Sequence, residues 1–543
     1  MLSFEITLVF CVAGWQINCV KRIWSSPVTY IILLLVSTVI AYGPAIRGEF
    51  VWDDALYLRD NPLIQARDGL QRFWLTTEFT DYYALSNTSF WLEWRLWGTN
   101  PTGYHITNIL LHALNALLLW QLLRQLKVRG AGWAGLAFAL HPVNVMSVAW
   151  ISERKNVLSL VFALLSGLAF FQWEDLKFRR WYWLAVAFFA LALLSKTAVV
   201  MLPVVLLLLI WWRHGKLCQR DWLSVVPFFA LSLGLGLVTM WFEQHHGIRS
   251  EIVQTAGFPG RLARAGCVVW FYLGKALWPV GLNVIYPHCS FAEGSVAAFI
   301  PLAVLVCIAV ILWRYRTIEG RAALVAMGCF VTLLFPVLGF FKIGFMGYSN
   351  VADHWQYLAL ISVLAVVGSA GAQAADVWRW RWLSVLGVIV LLWLGWGTWQ
   401  RAHVWQSELQ LWSDTLQKNP DAWMAHNNLG NALLREGRID AAIAQYQSTI
   451  RLRPDYANAH YNLGIATYQN GRPADAVRQF REVIRLKPQA ADAHNNLGAV
   501  LVNLGNTNEA IAEFHRAARL APRWSEPRAN LNRIGVRSDP DSR

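Results

Sequence analysis

The sequence predicts an all-α protein in which a polytopic membrane domain precedes a helical repeat domain. Of the 543 residues, 56% are hydrophobic and 31 are Trp, a composition typical of integral membrane proteins. Long apolar runs separated by short basic clusters fill about the first 400 residues. Beyond them the apolar runs end, and Pro, Gly and Ala recur at a period of 34 residues, which indicates an α-solenoid of helix pairs.

Eleven apolar runs are long enough to cross a bilayer as helices. Their predicted ranges are 28–46, 105–126, 130–146, 156–171, 181–195, 197–212, 222–241, 296–313, 322–343, 355–374 and 382–399. The further run 264–282 contains Lys275 and Pro279 and is predicted to be re-entrant or interfacial. With eleven spans and a cytoplasmic amino terminus, the basic loops fall on the cytoplasmic side, as the positive-inside rule requires. The sequence therefore predicts a multi-pass inner-membrane protein.

This orientation places the loop 47–104 and the chain after residue 400 outside the membrane, in the periplasm or an equivalent compartment. The basic loops account for the net charge of +14, and no basic–aromatic patch indicates a nucleic-acid partner. The seven Cys lack metal-ligand spacing and are predicted to be buried structural thiols. No cofactor and no metal site is predicted, and the sequence leaves metal dependence open. Residues 2–13 lack the basic start and cleavage site of a signal peptide, and the segment 1–27 is assigned no role.

The chain after residue 400 has the pattern of tetratricopeptide repeats. Each repeat carries Leu-Gly early, Ala at its middle, an aromatic residue four positions later and Pro near its end. Three full repeats are predicted at 423–456, 457–490 and 491–524. They lie in a repeat domain over 401–535, which precedes a predicted disordered tail at 536–543.

One amide recurs on the first helix of each repeat, as Asn428, Asn462 and Asn496. First helices of such repeats line the concave face of the solenoid, where amides can hold a peptide backbone through paired hydrogen bonds. These residues are therefore candidates for peptide binding. The alternative, that they bridge neighbouring repeats, agrees equally well with the sequence.

Two adjacent carboxylates, Asp53 and Asp54, stand where the chain leaves the first predicted span. Acidic groups at a membrane face are costly and usually functional, so the pair is a candidate site. The alternative is that the two residues cap the next helix or hydrate the loop. A site is favoured because cations concentrate on the same predicted side, and cations facing a carboxylate pair suit a lipid phosphate or diphosphate. The polar groups on that side are His105, Asn108, His141, Asn144, Glu153, Arg154, Lys155, Lys196, Asp353 and His354.

The chain also carries a series of short motifs in a defined order. They are Phe50-Val-Trp-Asp-Asp54 with Asn61-Pro62, Gly103-Tyr104-His105, His141-Pro142-Val143, Glu153-Arg154-Lys155, Ser195-Lys196-Thr197, Tyr286-Pro287, and Ala352-Asp353 with Tyr357. This series, followed by tetratricopeptide repeats, resembles the transmembrane and tetratricopeptide-repeat O-mannosyltransferases and their bacterial relatives over about residues 28–535. The resemblance implies a GT-C fold for residues 28–400. It also implies inverting transfer of a sugar, with mannose by resemblance alone, from a polyprenyl- or dolichyl-phosphate donor to a hydroxyl of a protein or other acceptor.

The resemblance assigns roles to the polar residues of the membrane domain. An acidic motif in the first outer loop binds or deprotonates the acceptor, which makes Asp53 and Asp54 the catalytic candidates. The candidates for binding the donor phosphate are Lys196, Arg154, His354 and Lys155. The candidates for lining the cavity are His105, Asn108, His141, Glu153 and Asp353. The chain departs from the family at two of these motifs, because Met146 stands where Glu is usual and His354 where Arg is frequent. If that Glu supports catalysis, its loss predicts a weakened or inactive enzyme.

Two other functions agree with parts of the sequence. A non-enzymatic scaffold would gather partners on the repeats and use the membrane domain as an anchor, but eleven spans exceed what anchoring requires. A transporter of lipid-linked sugars would need charged groups near the middle of the membrane, whereas the charges gather on one side. The sequence therefore favours a glycosyltransferase, with the membrane, a lipid-linked donor and a protein acceptor as its partners and the scaffold as the alternative.

Overall fold

The computed structural model describes residues 26–246, 257–287, 295–341, 343–378 and 382–536. Within these ranges the secondary structure is helical and no β-strand occurs. The chain divides after Ser407 into two compact units, a membrane unit and a repeat unit. The predicted all-α architecture, with membrane helices followed by tetratricopeptide repeats, is confirmed. Most of the predicted N-terminal segment 1–27 and of the predicted tail 536–543 lies outside the described residues.

The membrane unit consists mainly of long apolar helices. Its longer helices are α1 (Pro27–Tyr42), α2 (Gly69–Leu75), α3 (Ala84–Trp97), α4 (Pro101–Gln125), α5 (Ala131–Ala139), α6 (Arg154–Leu176), α7 (Arg179–Ser195), α8 (Leu202–His214), α9 (Gln219–His246), α10 (Phe258–Leu277), α11 (Ile300–Arg314), α12 (Ile318–Leu334), α13 (Leu360–Trp378) and α14 (Trp382–Val404). In the described part of the chain, nine helical segments are long and apolar enough to cross a membrane, and they are formed by α1, α4, α6, α8, α9 and α11 to α14. The helix α10, which overlaps the run predicted to be re-entrant or interfacial, is not one of them.

Two other predicted spans correspond to shorter helices. The helix α7, over the predicted span 181–195, has 17 residues and packs along α6. The predicted span 130–146 is interrupted after α5, where His141 takes an extended conformation ahead of Pro142. A residue before proline is disfavoured in the helical region, and proline lacks the N–H that would continue the helix. Short helical turns follow this break and lead to the start of α6.

The loop 47–104 is a folded element with its own hydrophobic core. Buried side chains from its turns and short helices pack against one another, against the first turn of α4 and against Ile151. The loop and α4 residues of this core are Tyr57, Leu58, Leu63, Ile64, Phe73, Phe90 and Tyr104. The indole N–H of Trp74 donates to the Thr88 hydroxyl at 2.9 Å, which joins α2 to α3. Because Ile151 lies just before α6, this core fixes the loop on the segment that leads into α6.

The repeat unit contains three helix pairs, with one helix before them and one after. Its helices are Glu408–Lys418, Trp423–Arg435, Ile439–Leu452, Ala457–Gln469, Pro473–Leu486, Ala491–Asn503, Thr507–Leu520 and Glu526–Arg533. In each pair a glycine of the first helix lies against an aromatic ring of the second, as Gly430 does on Tyr446. A Cβ at this glycine would lie 2.6 Å from the ring, so the close approach of the two helices requires glycine.

Candidate active site

Asp54 is a fully buried carboxylate that is fixed on the turn before α6. Its Oδ1 accepts hydrogen bonds from the backbone N–H of Ser152, at 2.7 Å, and from the Ser152 hydroxyl. Its Oδ2 accepts the backbone N–H of Val51 at 3.0 Å. Burial raises the pKa of Asp54 to about 7, although the three hydrogen bonds favour the ionised form and oppose that rise. These contacts give Asp54 an anchoring role, since both of its oxygen atoms are already bound by the protein.

Asp53 is the more open of the two carboxylates. The residue is partly exposed, and within the described ranges its carboxylate accepts no hydrogen bond. Burial raises the pKa of Asp53 to about 6; the Lys155 ammonium opposes this rise, whereas the Asp81 and Glu153 carboxylates add to it. A carboxylate with this pKa is largely ionised at neutral pH and is a stronger base than a fully solvated one. Asp53 can therefore accept a proton from a hydroxyl brought to it.

The backbone next to the two carboxylates is held by an aromatic stack. Trp52 has a φ of +54°, in the left-handed region that bulky L-residues rarely occupy. Its ring stacks on Trp150 with centroids 4.7 Å apart and an interplanar angle of 1°. Such a conformation costs about 1–3 kcal/mol and persists where the surrounding contacts over-determine it, which is common at functional sites. The Trp52–Trp150 stack thus fixes the turn that carries Asp53 and Asp54.

Three charged side chains form an ion-pair cluster at the start of α6. Glu153, with 2% of its side chain exposed, pairs through Oε2 with the Lys196 ammonium at 2.9 Å and through Oε1 with the Lys155 ammonium at 3.3 Å. The Asn156 amide donates to Oε2 at 2.6 Å. The side chains of Lys155 and Lys196 are 15% and 12% exposed, so both ammonium groups lie at the edge of the buried region. Two lysines and one glutamate give this Glu153 cluster one net positive charge.

The loop 47–104 adds three residues near Lys155 that the sequence patterns did not identify, namely Tyr57, Asp81 and Tyr83. The Lys155 ammonium lies 5.1 Å from the centre of the Tyr57 ring and 5.8 Å from that of Tyr83, within the range of cation–π attraction. The Tyr57 hydroxyl donates a hydrogen bond to the Asp81 carboxylate. Lys155 therefore connects the loop that bears Asp53 to the Glu153 cluster. Single residues of these types in a loop have no periodic signal, and only their contacts identify them.

Arg154 lies apart from the Glu153 cluster, which argues against its predicted role in binding a donor phosphate. Its guanidinium is fully buried and pairs with Glu93 of α3 at 2.8 Å. It also donates to the side-chain oxygen of Asn108 and, at 3.0 Å, to the carbonyl of Tyr104, both in α4. Arg154 thus binds α3 and α4 to α6. The side chains of Arg154 and Lys155 point about 100° apart around α6. The sequence could not show which of the two faces the site, because that depends on how α6 packs against its neighbours.

His354 and Met146 contact each other, with His354 Nδ1 3.3 Å from the Met146 sulfur. Burial lowers the pKa of His354 to about 3, so the imidazole is neutral and offers a phosphate no positive charge. These surroundings argue against the predicted role of His354 as a phosphate ligand of cationic type. Asp353, its neighbour in the chain, is buried and accepts a hydrogen bond from the Tyr286 hydroxyl at 2.6 Å.

The other residues predicted to line the cavity are buried, and protein atoms surround them. The Asn108 amide donates to the carbonyl of Val148 at 3.1 Å. His141 Nε2 lies 3.1 Å from the carbonyl oxygen of Ala276. His105 packs so close to Gly48 that a Cβ there would lie 3.0 Å from its Nε2. Of the predicted lining residues, Glu153 is therefore the one that contacts Lys155 and Lys196.

For two of the three recurring amides in the repeat unit, the structure favours bridging over peptide binding. The Asn462 amide donates to the side-chain oxygens of Asn427 and Asn431 in the preceding repeat, at 3.1 and 3.0 Å. The Asn496 amide donates to the Tyr461 hydroxyl at 2.9 Å. These amides are therefore occupied by neighbouring repeats.

Asn428, in the first repeat, makes no such bridge. Its side-chain oxygen accepts a hydrogen bond from Asn427 at 3.2 Å, and in the part of the chain that the structure covers its amide nitrogen has no acceptor. Asn428 is thus the member of the series that remains available to a ligand. Across the same ranges, no group of three or more His, Cys, Asp and Glu side chains is placed to hold a metal ion.

Models of known protein families match parts of both units. Residues 89–241 match the family model of dolichyl-phosphate-mannose-protein mannosyltransferases. Residues 430–471 and 461–523 match tetratricopeptide-repeat models. Among solved structures, the chain is similar to MamA, with 22% identity and a TM-score of 0.22 over 24% of this chain and 78% of MamA. It is also similar to the OM64 TPR domain from Arabidopsis, with 20% identity and a TM-score of 0.21 over 21% of this chain and 95% of that domain.

Several relatives match most of the chain. The protein O-mannosyl-transferase F38B6.6 of Caenorhabditis elegans is 24% identical over 78% of this chain and 62% of its own length. The protein O-mannosyl-transferase TMTC1 of Homo sapiens is 24% identical over 77% of this chain and 54% of its own length. The chain thus spans between about half and two thirds of the length of these relatives. With a mannosyltransferase-type membrane segment followed by tetratricopeptide repeats, the chain is a homologue of the transmembrane and tetratricopeptide-repeat O-mannosyltransferases.

Proposed function

We propose that this protein is a membrane glycosyltransferase that moves a sugar from a polyprenyl-phosphate carrier to a hydroxyl of a protein acceptor. The sugar that we propose is mannose. The observation that carries the proposal is Asp53, a partly exposed carboxylate near Lys155, which Glu153 holds together with Lys196. Transfer from a sugar phosphate needs a base for the acceptor and cations for the leaving phosphate. The homology to mannosyltransferases supports the choice of sugar.

Asp53 acts as the base in the proposed reaction. It takes the proton of the acceptor hydroxyl while the hydroxyl oxygen bonds to the anomeric carbon of the sugar. The bond from that carbon to the phosphate oxygen breaks, and its electron pair leaves with the lipid phosphate. Attack from the face opposite the phosphate inverts the configuration at the anomeric carbon. A positioned base of this kind contributes about 10²–10⁴-fold to the rate.

Lys155 and Lys196 stabilise the leaving phosphate. The phosphate gains a negative charge when the sugar departs, so cations placed beside it bind the transition state more tightly than the ground state. Lys196 donates one hydrogen bond to Glu153, which leaves two of its three N–H groups for phosphate oxygens. Arg154 and His354 have no part in this proposal, since the first is saturated by buried contacts and the second is neutral.

We place the reaction at the extracytoplasmic face of the inner membrane, in a membrane domain of GT-C type. The distribution of Lys and Arg among the predicted loops supports this side of the membrane, and the homology supports this fold type. The repeat unit recruits the protein acceptor, with Asn428 as its candidate contact to the peptide backbone.

Sugar transfer in membranes that contain the full chain tests this proposal. The donor is mannosyl-phosphoryl-polyprenol, and the readout is labelled mannose on acceptor proteins. We expect transfer by the unmodified chain and none by Asp53→Asn. The matched control is Asp60→Asn, because Asp60 is a carboxylate of the same loop that is 59% exposed and pairs with Arg59. Absence of transfer by the unmodified chain, with the donor shown to be intact, would overturn the proposal.

A membrane-anchored scaffold is the second candidate, and Met146 is the observation that favours it, because the resemblance implies that a Glu is usual at this position. For a scaffold, Asp53→Asn would leave every phenotype unchanged, whereas deletion of residues 408–543 would remove the partner complex. Loss of function in Asp53→Asn, at normal expression, would exclude the scaffold as the sole role.

A further inference from the structure

We infer that Glu153 is a positioning residue that holds Lys155 and Lys196 together for the donor phosphate and takes no part in proton transfer. The inference rests on the proposed function, because it assigns phosphate binding to the two lysines. Glu153 bears a carboxylate close to Asp53, so its type alone would make it a rival base. Its contacts decide between the two roles.

Both oxygen atoms of Glu153 are already bound by cations or donors. Oε2 accepts from Lys196 at 2.9 Å and from the Asn156 amide at 2.6 Å, and Oε1 faces the Lys155 ammonium at 3.3 Å. Only 2% of the side chain is exposed. A general base must reach the proton it removes, either directly or through one water. Glu153 makes three contacts with cations or donors and is nearly inaccessible, which leaves the more exposed Asp53 as the base.

The two lysines come from different elements and need a common partner to meet. Lys155 lies in the first turn of α6, whereas Lys196 follows the last residue of α7. Two ammonium groups repel each other, and each flexible lysine side chain gives up about 2 kcal/mol of rotamer freedom when it is fixed. A buried carboxylate between them offsets the repulsion and fixes both nitrogen atoms. Glu153 therefore converts two separate lysines into one phosphate clamp.

Glu153 is itself fixed by a second contact. The Asn156 amide nitrogen that donates to Glu153 also lies 3.1 Å from the carbonyl of His354 and 3.3 Å from the Ser147 hydroxyl. Asn156 is thus held between the turns before α6 and the segment before α13. A carboxylate held in this way keeps one orientation, as a residue that positions others must.

Removal of the Glu153 charge distinguishes a positioning role from simple electrostatic repulsion, because the two predict opposite changes in the affinity for phosphate. As a nearby negative charge alone, Glu153 repels a phosphate, and Glu153→Gln would tighten phosphate binding by raising the net charge of the cluster from +1 to +2. As a positioning residue, Glu153 is needed for the lysines to meet the phosphate, so Glu153→Gln weakens binding. A base would give a third result, with lost turnover and unchanged binding.

The experiment measures binding of a fluorescent polyprenyl monophosphate to the full chain in lipid nanodiscs. We expect Glu153→Gln to raise the Kd about tenfold, as loss of one charge-assisted hydrogen bond does, and Glu153→Asp to recover part of the affinity. Combined with Lys196→Met, Glu153→Gln should raise the Kd by less than it does alone, since the two residues act as a unit. In the transfer assay, Glu153→Gln should raise the donor KM and also lower kcat, because the two lysines stabilise the departing phosphate in the transition state.

The matched control is Glu174→Gln, at the other end of α6. Glu174 also pairs with two basic side chains, Arg213 at 2.9 Å and His214 at 2.5 Å, but it lies outside the candidate site. The variant Glu174→Gln should leave the Kd for polyprenyl monophosphate unchanged. Tighter or equal binding by Glu153→Gln would overturn the inference, and so would a loss of kcat at unchanged Kd. Absence of binding by the unmodified chain would instead overturn the proposed function.

Discussion

His354 Nδ1 and the Met146 sulfur lie 3.3 Å apart, so two of the positions at which the sequence is expected to depart from the family pattern contact each other. A Glu at the first position and an Arg at the second would form an ion pair at this contact. Here a thioether and a neutral imidazole replace both charges together, and no unpaired buried charge remains. Met146 therefore leaves no charge unpaired at this contact, and we expect it to be compatible with activity.

Met146→Glu alone should destabilise the protein. It would bury a carboxylate beside a neutral histidine, and an uncompensated buried charge costs about 3–5 kcal/mol. The double variant Met146→Glu with His354→Arg should recover most of the stability, because the new charges pair. Thermal unfolding of the detergent-solubilised chain measures both. Higher sugar transfer by Met146→Glu at unchanged stability would contradict this view and would indicate that the chain is a decayed enzyme.

Sugar transfer should fall at acidic pH. Asp53 is active as a base when ionised, and burial raises its pKa to about 6, so kcat/KM should be constant above about pH 7 and fall about tenfold per unit below pH 6. Asp81 adds to the raised pKa of Asp53, so Asp81→Asn should move the fall to lower pH. The measurement is the pH profile of kcat/KM for both chains. A profile that is flat from about pH 5 to 8 would exclude Asp53 as the base.

Ser152→Ala should destabilise the loop that carries the site. It removes the hydroxyl that donates to the buried Asp54 carboxylate, and a hydrogen bond to a charged group contributes about 1.5–3 kcal/mol. Thermal unfolding should therefore begin at a lower temperature. The control is Ser37→Ala, whose hydroxyl donates to a carbonyl of its own helix α1. Equal stability of the two variants would contradict the anchoring role of Asp54.

Arg154→Met should mainly reduce stability, whereas Lys155→Met should mainly affect the use of the donor. The first leaves the buried Glu93 carboxylate unpaired and should cost about 3–5 kcal/mol of stability. The second removes a cation at the edge of the site and should raise the donor KM with little loss of stability. Thermal unfolding and donor kinetics on both variants provide the test. A raised donor KM in folded Arg154→Met would restore Arg154 as a phosphate ligand.

Asn462→Ala and Asn428→Ala should also differ. Asn462 bonds to two side chains of the preceding repeat, so its loss should lower the stability of the repeats by about 1 kcal/mol per hydrogen bond. Asn428 makes no bridge and should affect acceptor binding instead. Unfolding curves and acceptor-protein binding by the full chain measure the two effects. Normal acceptor binding by Asn428→Ala would remove Asn428 from the peptide contact.

The apolar runs, the period of 34 residues and the Asp53–Asp54 pair were readable along the chain because each is a local property of the sequence. The length of an apolar run predicts whether its helix can cross a membrane. The break at His141 is explained by Pro142, because a residue before proline disfavours the helical conformation. The period sets the fold of the repeats because each unit packs only on its neighbours.

The sequence by itself determined the all-α architecture, the membrane character and the repeats, and it brought the acidic and basic residues into one candidate set. Only the tertiary structure decided between neighbouring residues in that set. Asp53 is partly exposed, whereas Asp54 is buried and bound by Ser152. Lys155 lies in the Glu153 cluster, whereas Arg154 is buried against Glu93. Adjacent residues share nearly the same sequence context but point in different directions. Their partners come from segments as far apart as Asp54 and Ser152, 98 residues along the chain, and such pairings exist only once the chain has folded.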